Sequence, residues 1–166
     1  DCRVLLESAK GDAPALAAAL ASDFASYADF RTYRGERFPV LKRAQICVSD
    51  LVGAFGGKDL GALGRAWRLT CFADYKLPQL FHSYGVFVYA PALEKAVRGL
   101  EEIAEGCEEE VEIRACTIAA VERLQTMLAA GGRALSPREI DWLLWNESVV
   151  PGRLTVPHHR TITTSY

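Results

Sequence analysis

The chain has little that would tie it to a membrane, a metal or a disulfide framework. No apolar run reaches the roughly 18 residues expected of a membrane helix, and no signal peptide is visible, so no membrane partner is expected. The five cysteines, Cys2, Cys47, Cys71, Cys107 and Cys116, are odd in number and form no C-x-x-C pair. That argues against a disulfide framework and a zinc ribbon, and reduced thiols in a cytoplasmic protein are the simpler reading. Histidine is scarce. His82 is isolated, and the side chains of adjacent His158 and His159 diverge, so no spacing resembles a metal site. No P-loop, dinucleotide G-x-G-x-x-G or G-x-S-x-G is present, and neither cofactor nor metal is expected. Net charge is also small: 19 basic against 21 acidic residues leave −2. A protein that grips nucleic acid through its overall field is therefore excluded, while a local basic pocket is not. The single methionine is Met127, so Asp1 is not a natural start. The chain is read as the C-terminal part of a longer one.

What is present is helical patterning, over a length of 166 residues that suits one domain with a real core. Residues 13–28 are alanine-rich, with Asp12 as N-cap and Pro14 in the first turn. Tyr33-Arg34-Gly35-Glu36 reads as a turn. Pro39 is expected to open a helix that runs to Phe55 and stops at Gly56-Gly57, with Leu41, Ala44, Val48, Leu51, Val52 and Phe55 forming its buried stripe. Residues 59–70 are glycine-broken and read as a short turn of helix followed by an extended link. Further helices are expected from Pro78 to near Gly85, from Pro91 to Gly106, and from Glu108 to Ala130. Ser136-Pro137-Arg138-Glu139 combines a capping box with proline at the first helical position. Residues 154–166 read as a strand or an extended tail. The expectation is a single domain over 1–166, all-α and mainly helical, with a short extended C-terminal tail.

Four groups of residues carry potential chemistry. Phe72-Ala73-Asp74-Tyr75-Lys76 sets one carboxylate among two aromatics and a lysine, just before Pro78. An acid held against aromatic surface is poorly solvated, which is how proteins make carboxylates useful in acid–base chemistry. The bland alternative is a loop aspartate ahead of a helix. On the helix from Glu108, Arg114 falls inside the apolar arc of Val111, Ile118, Val121, Leu124 and Leu128, and Glu110 faces the same way. Such charges are costly unless paired. They satisfy each other at i,i+4, or they extend into a network around the active carboxylate. On the helix after Pro39, Lys42, Gln45 and Ser49 share a face, and Arg43 aligns with Asp50. This is either a solvated face or a polar wall opposite Asp74. Trp142 and Trp145 lie three apart, as core packing or as a platform for a flat base.

The segment FADYKLPQ resembles the central motif of the queuosine 5'-phosphate N-glycosylase/hydrolase family, the queuosine salvage proteins. Lys42-Arg43-Ala44-Gln45-Ile46, Glu110-Val111-Glu112-Ile113-Arg114 and Asp141-Trp142-Leu143-Leu144-Trp145 match in the same order, and Pro157-His158-His159-Arg160 more weakly. The resemblance spans residues 5–166, and FADYKLPQ with EVEIR is a specific combination. It departs at Ile162, where a second arginine is usual, and at Asn146, where relatives often carry aspartate. The resemblance implies a helical architecture related to DNA glycosylases, an N-glycosidase, and a small nucleotide, queuosine 5'-monophosphate, as its partner. No stable nucleic-acid complex is expected. It implies Asp74 as the catalytic residue, tuned or shaped by Phe72, Tyr75 and Lys76. Lys42, Arg43, Asp50, Glu110, Arg114, His159 and Arg160 are then substrate-binding or supporting residues, with Lys42, Arg43, His159 and Arg160 available to a phosphate. Two rivals stay open: a non-catalytic helical interaction module, and a DNA repair glycosylase, which would need a basic surface.

Overall fold

A computed structural model describes residues 2–166. The element order is α1 (Cys2–Ser8), α2 (Ala13–Asp23), β1 (Phe30–Tyr33), β2 (Glu36–Pro39), α3 (Lys42–Ala54), α4 (Lys76–Ser83), α5 (Pro91–Arg98), α6 (Glu108–Ala130) and α7 (Pro137–Ser148). The protein is thus mainly helical, as its patterning implies. Asp12 caps α2 by accepting the Ala15 N–H at 3.0 Å. α6 has the predicted bounds. α7 starts at the capping box, where Glu139 accepts the Ser136 N–H at 2.8 Å. Residues 154–166 form an extended tail whose backbone makes a single bridge, Arg160 to Glu102.

Four boundaries differ from expectation. Pro39 does not open α3. It ends β2, the second strand of an antiparallel hairpin that pairs Phe30 with Pro39 and Tyr33 with Glu36. The hairpin turns at Arg34 and Gly35, both with positive φ (50° and 86°), the geometry that matches strand twist in a two-residue loop. The helix expected from Pro91 to Gly106 stops at Arg98, where Leu100 turns to φ 57° and the Glu101 N–H donates back to the Ala96 carbonyl at 2.9 Å; beyond it, the Ile103 N–H donates to the Arg160 carbonyl at 2.7 Å. α2 ends at Asp23, and a 3-10 turn over Ala25–Tyr27 follows. α4 begins at Lys76, two residues before Pro78, whose missing N–H costs nothing in a first turn.

Two apolar clusters hold these elements. Ala9, Leu16, Ala17 and Leu20 pack with Ala44, Val48 and Leu69. Val40, Cys71, Ala73, Leu77, Phe81, Val121 and Ile140 form the second cluster. The segment 69–73 has Leu69 in the first and Cys71 and Ala73 in the second, so burial immobilises it along its length. It is also tied to α3, since Gln45 accepts the Thr70 N–H and donates to the Thr70 hydroxyl and the Val40 carbonyl, each at 2.8 Å. Asp74 is the next residue out of this clamped segment.

Candidate active site

Asp74 sits at the rim of a pocket of about 260 Å³ between α3, α4 and α7. Both its oxygens are held. Oδ1 accepts the Lys76 N–H at 2.6 Å, at the first turn of α4, where unsatisfied backbone donors favour a negative charge. Oδ2 faces the Lys42 ammonium at 3.4 Å. Asp74 and Lys42 are 13% and 15% exposed, so the pair is sheltered yet reachable by a ligand. The polar face of α3 is therefore a wall and not a solvated surface. Along it, Lys42 meets Asp74, Gln45 meets Thr70, and Ser49 accepts from Arg138 at 3.4 Å.

A second carboxylate, Asp141 on α7, lines the same pocket and is buried. It accepts the Phe72 N–H at 2.8 Å. Burial pushes its carboxyl up to about 6. The Phe72 N–H opposes the shift, the Asp74 charge adds to it, and Lys42 opposes it. The site thus has one carboxylate held by an ammonium and a second that keeps a proton into the mildly acidic range. Sequence reasoning passed over Asp141 as part of a motif, though a signal existed. Taking Ile140 as zero, Pro137, Leu144 and Ser148 fall at about 40–80° around the helix and Asp141 at about 100°. A charge at the edge of a buried arc is the anomaly that marked Arg114.

Phe72 and Leu77 form the buried floor of the pocket. Trp142 and Trp145 line its wall and remain 49% and 46% exposed. Core packing does not account for them, and a flat ligand can lie against them. Asp50 is exposed at the pocket's edge.

Behind the pocket lies a buried ionic network. Arg114 is fully buried and pairs with Glu110 at 3.5 Å, as helix phase implied. Its principal partner is Asp29, which accepts from Nη1 at 2.9 Å and from Nη2 at 2.6 Å. No spacing rule in the sequence links residues 29 and 114, because the contact runs between a turn and α6. Arg114 Nε donates to the Ala73 carbonyl at 2.9 Å, and the Tyr166 ring covers the guanidinium at 4.7 Å. Burial pushes the Asp29 carboxyl up, but the hydrogen bonds and charge of Arg114 outweigh it and hold the group below its usual range. Arg31 adds contacts to Asp29 at 3.2 Å and Glu110 at 3.1 Å.

Besides Glu110 and Arg114, five expected site residues lie outside the pocket. Lys76 contributes its backbone N–H to Asp74, while the Tyr75 ring turns to stack on His158 at 4.6 Å. Arg43 is exposed and donates to the Ser26 and Thr164 carbonyls at 3.2 and 3.0 Å. His159 is buried against Tyr166, and burial lowers it to about 4, with His158 and Arg114 adding to the effect. It is a neutral imidazole at neutral pH and not a cationic anchor. Arg160 lines a separate hollow of about 490 Å³ with Tyr75 and His158. Of the four basic residues offered to a phosphate, some of which were expected near Asp74, Lys42 is the one that meets it. Asn146, the departure noted above, donates to the Trp142 carbonyl at 2.8 Å on its own helix.

Among the described residues no group of three or more His, Cys, Asp or Glu side chains could hold a metal, and no helix is long and apolar enough to cross a membrane. Comparison with known proteins gives one consistent result. The family model described as "Queuosine salvage protein" matches residues 1–166. The queuosine 5'-phosphate N-glycosylase/hydrolase of Sphaerobacter thermophilus is 49% identical over 161 residues, covering 97% of this chain and 50% of that protein. Proteins of the same name from Dictyostelium discoideum and Mus musculus are 37% and 36% identical, covering 98% and 86% of this chain and 50% and 45% of their own lengths. The chain spans about half the length of the curated relatives it matches. With its full length under the family model and three of its matched motifs lining one pocket, the chain belongs to the queuosine salvage protein family.

Proposed function

We propose that this pocket cleaves the N-glycosidic bond of queuosine 5'-monophosphate, releasing queuine and ribose 5-phosphate. The observation that carries the reading is the pairing of two unlike carboxylates, Asp74 and Asp141, in one pocket beside exposed indoles. Breaking the bond between the base and the anomeric carbon leaves its electrons on the base and positive charge on the ribose. The Asp74 carboxylate, held by Lys42 and the Lys76 N–H, stabilises that charge. It also orients the attacking water and accepts its proton. Asp141 holds a proton up to about pH 6. It is suited to hydrogen-bond the polar edge of the base and to pass a proton to it as it leaves. Trp142 and Trp145 offer π-faces to the fused ring.

The names of the relatives support the same substrate. A free nucleotide, in place of a nucleic-acid duplex, suits a net charge of −2. A cytoplasmic setting is part of the proposal, since Cys47, Cys71, Cys107 and Cys116 are all free thiols. The mainly helical frame is compatible with the implied kinship to helical DNA glycosylases. The test is product analysis of the full-length protein with queuosine 5'-monophosphate. Queuine and ribose 5-phosphate should appear in equal amounts, and an unchanged substrate would contradict the proposal.

A further inference from the structure

We infer that Asp29, which lies outside the pocket, is a positioning residue that sets the geometry of the Asp74–Lys42 pair from both sides at once. The inference rests on the reading of the pocket given above. Lys42 reaches Asp74 because of how α3 begins. The residue before it, Leu41, has φ 51°, in the left-handed region that a leucine adopts only under constraint. Asp29 supplies that constraint. Its backbone carbonyl accepts the Val40 and Leu41 N–H groups, both at 3.0 Å, and its Oδ2 accepts the Lys42 N–H, also at 3.0 Å. Three successive amides of the turn into α3 are thus held by one residue.

The other half of the pair is held through Arg114. Both oxygens of Asp29 bind the two terminal nitrogens of the guanidinium. The third nitrogen, Nε, donates to the carbonyl of Ala73, the residue before Asp74. A planar guanidinium has fixed angles between its donors, so the position of Asp29 is transmitted to the Ala73 carbonyl with little slack. Asp29 and Arg114 are 2% and 0% exposed, which leaves no room for water to take over a lost contact. The same carboxylate therefore orders the start of α3 and, across the guanidinium, the start of the Asp74 segment. A salt bridge needed only for stability would have no reason to place its spare donor and acceptor on the two peptides next to the reacting pair.

The test is a double-mutant cycle on the full-length enzyme with queuosine 5'-monophosphate, using Asp29→Asn, Lys42→Met and the two combined. Misplacing a reacting group by a fraction of an ångström to an ångström costs one to two decades in rate. Asp29→Asn should thus lower kcat by about tenfold or more, with KM changed less than about threefold. In the Lys42→Met background the same substitution should cost less than about threefold, because the pair it aligns is already broken. An equal loss in both backgrounds, a loss accounted for by the unfolded fraction in circular dichroism, or a Lys42→Met enzyme as fast as wild type would overturn the inference. If Asp29→Asn does not fold, Arg114→Lys takes its place in the cycle, since it keeps a buried cation for Asp29 and removes the fork to Ala73. A wild-type enzyme that releases no queuine overturns the proposed function instead, which separates the two failures.

Discussion

At the scale of single residues, the site is built on unequal treatment of two carboxylates in one pocket. Asp74 has an ammonium and a helix-start amide, whereas Asp141 has burial, one N–H and a neighbouring negative charge. The difference has a measurable consequence. With the Asp141 carboxyl at about 6 against an ordinary 3.8, the folded protein binds more protons than the unfolded chain between those values. The contribution of this group to stability is therefore complete below about pH 4 and is lost as pH rises through about 6. Asp141→Asn removes the dependence, and its amide oxygen can still accept the Phe72 N–H. The variant should gain stability over wild type between about pH 4 and pH 7, by on the order of 2 kcal/mol at the upper end. Urea unfolding at several pH values checks this, and a difference that does not change with pH would contradict it. His159 has the opposite sign. Its folded value of about 4 means that its contribution is complete above about pH 6.5 and is lost as pH falls through about 4.

At the scale of elements, the helices were legible where a local rule decides them. The Asp12 cap, the full span of α6 and the capping box of α7 all follow from residues within one turn of the boundary. The strand pairing up to Pro39 was not legible, because it depends on a distant partner: Asp29 holds the turn after Pro39. The early end of α5 was missed because Leu100 takes the left-handed conformation that glycine usually supplies at a helix end. The site followed the same division. Helix phase placed Arg114 and Glu110 inward and set Lys42, Gln45 and Ser49 on one face, for which a wall opposite Asp74 was one of two readings. It could not find Asp29, which has no periodic neighbour, and it had no bearing on His159, which the resemblance offered to a phosphate and which is buried in the folded tail. The expected pairing of Arg114 thus needs amending: Asp29 comes first and Glu110 second. Arg114→Met leaves Asp29 and Glu110 buried with Arg31 as their one remaining cation. It should lower the unfolding free energy by about 3–5 kcal/mol, together with activity. An unfolding midpoint that yields less than about 1 kcal/mol would mean that Arg31 alone satisfies both acids.

At the scale of the whole molecule, two apolar clusters clamp a segment between them, and a pocket lies at its exit. On the proposed reading the substrate also carries a 5'-phosphate, and Lys42 is the basic side chain placed to attract it toward the pocket. A charge-assisted phosphate contact contributes about 1.5–3 kcal/mol, or one to two decades. Queuosine should therefore react at least about tenfold less efficiently than its 5'-monophosphate at fixed ionic strength, and equal efficiency would remove the phosphate from the account. The most direct test of the central claim is the single-turnover rate of Asp74→Asn on queuosine 5'-monophosphate in the full-length protein. The amide keeps the Lys76 N–H contact and hence the fold, but it loses the charge that, on the proposed reading, faces the cationic transition state. The account predicts a loss of about a thousandfold with an unchanged circular dichroism spectrum, whereas a rate within a few-fold of wild type would contradict it.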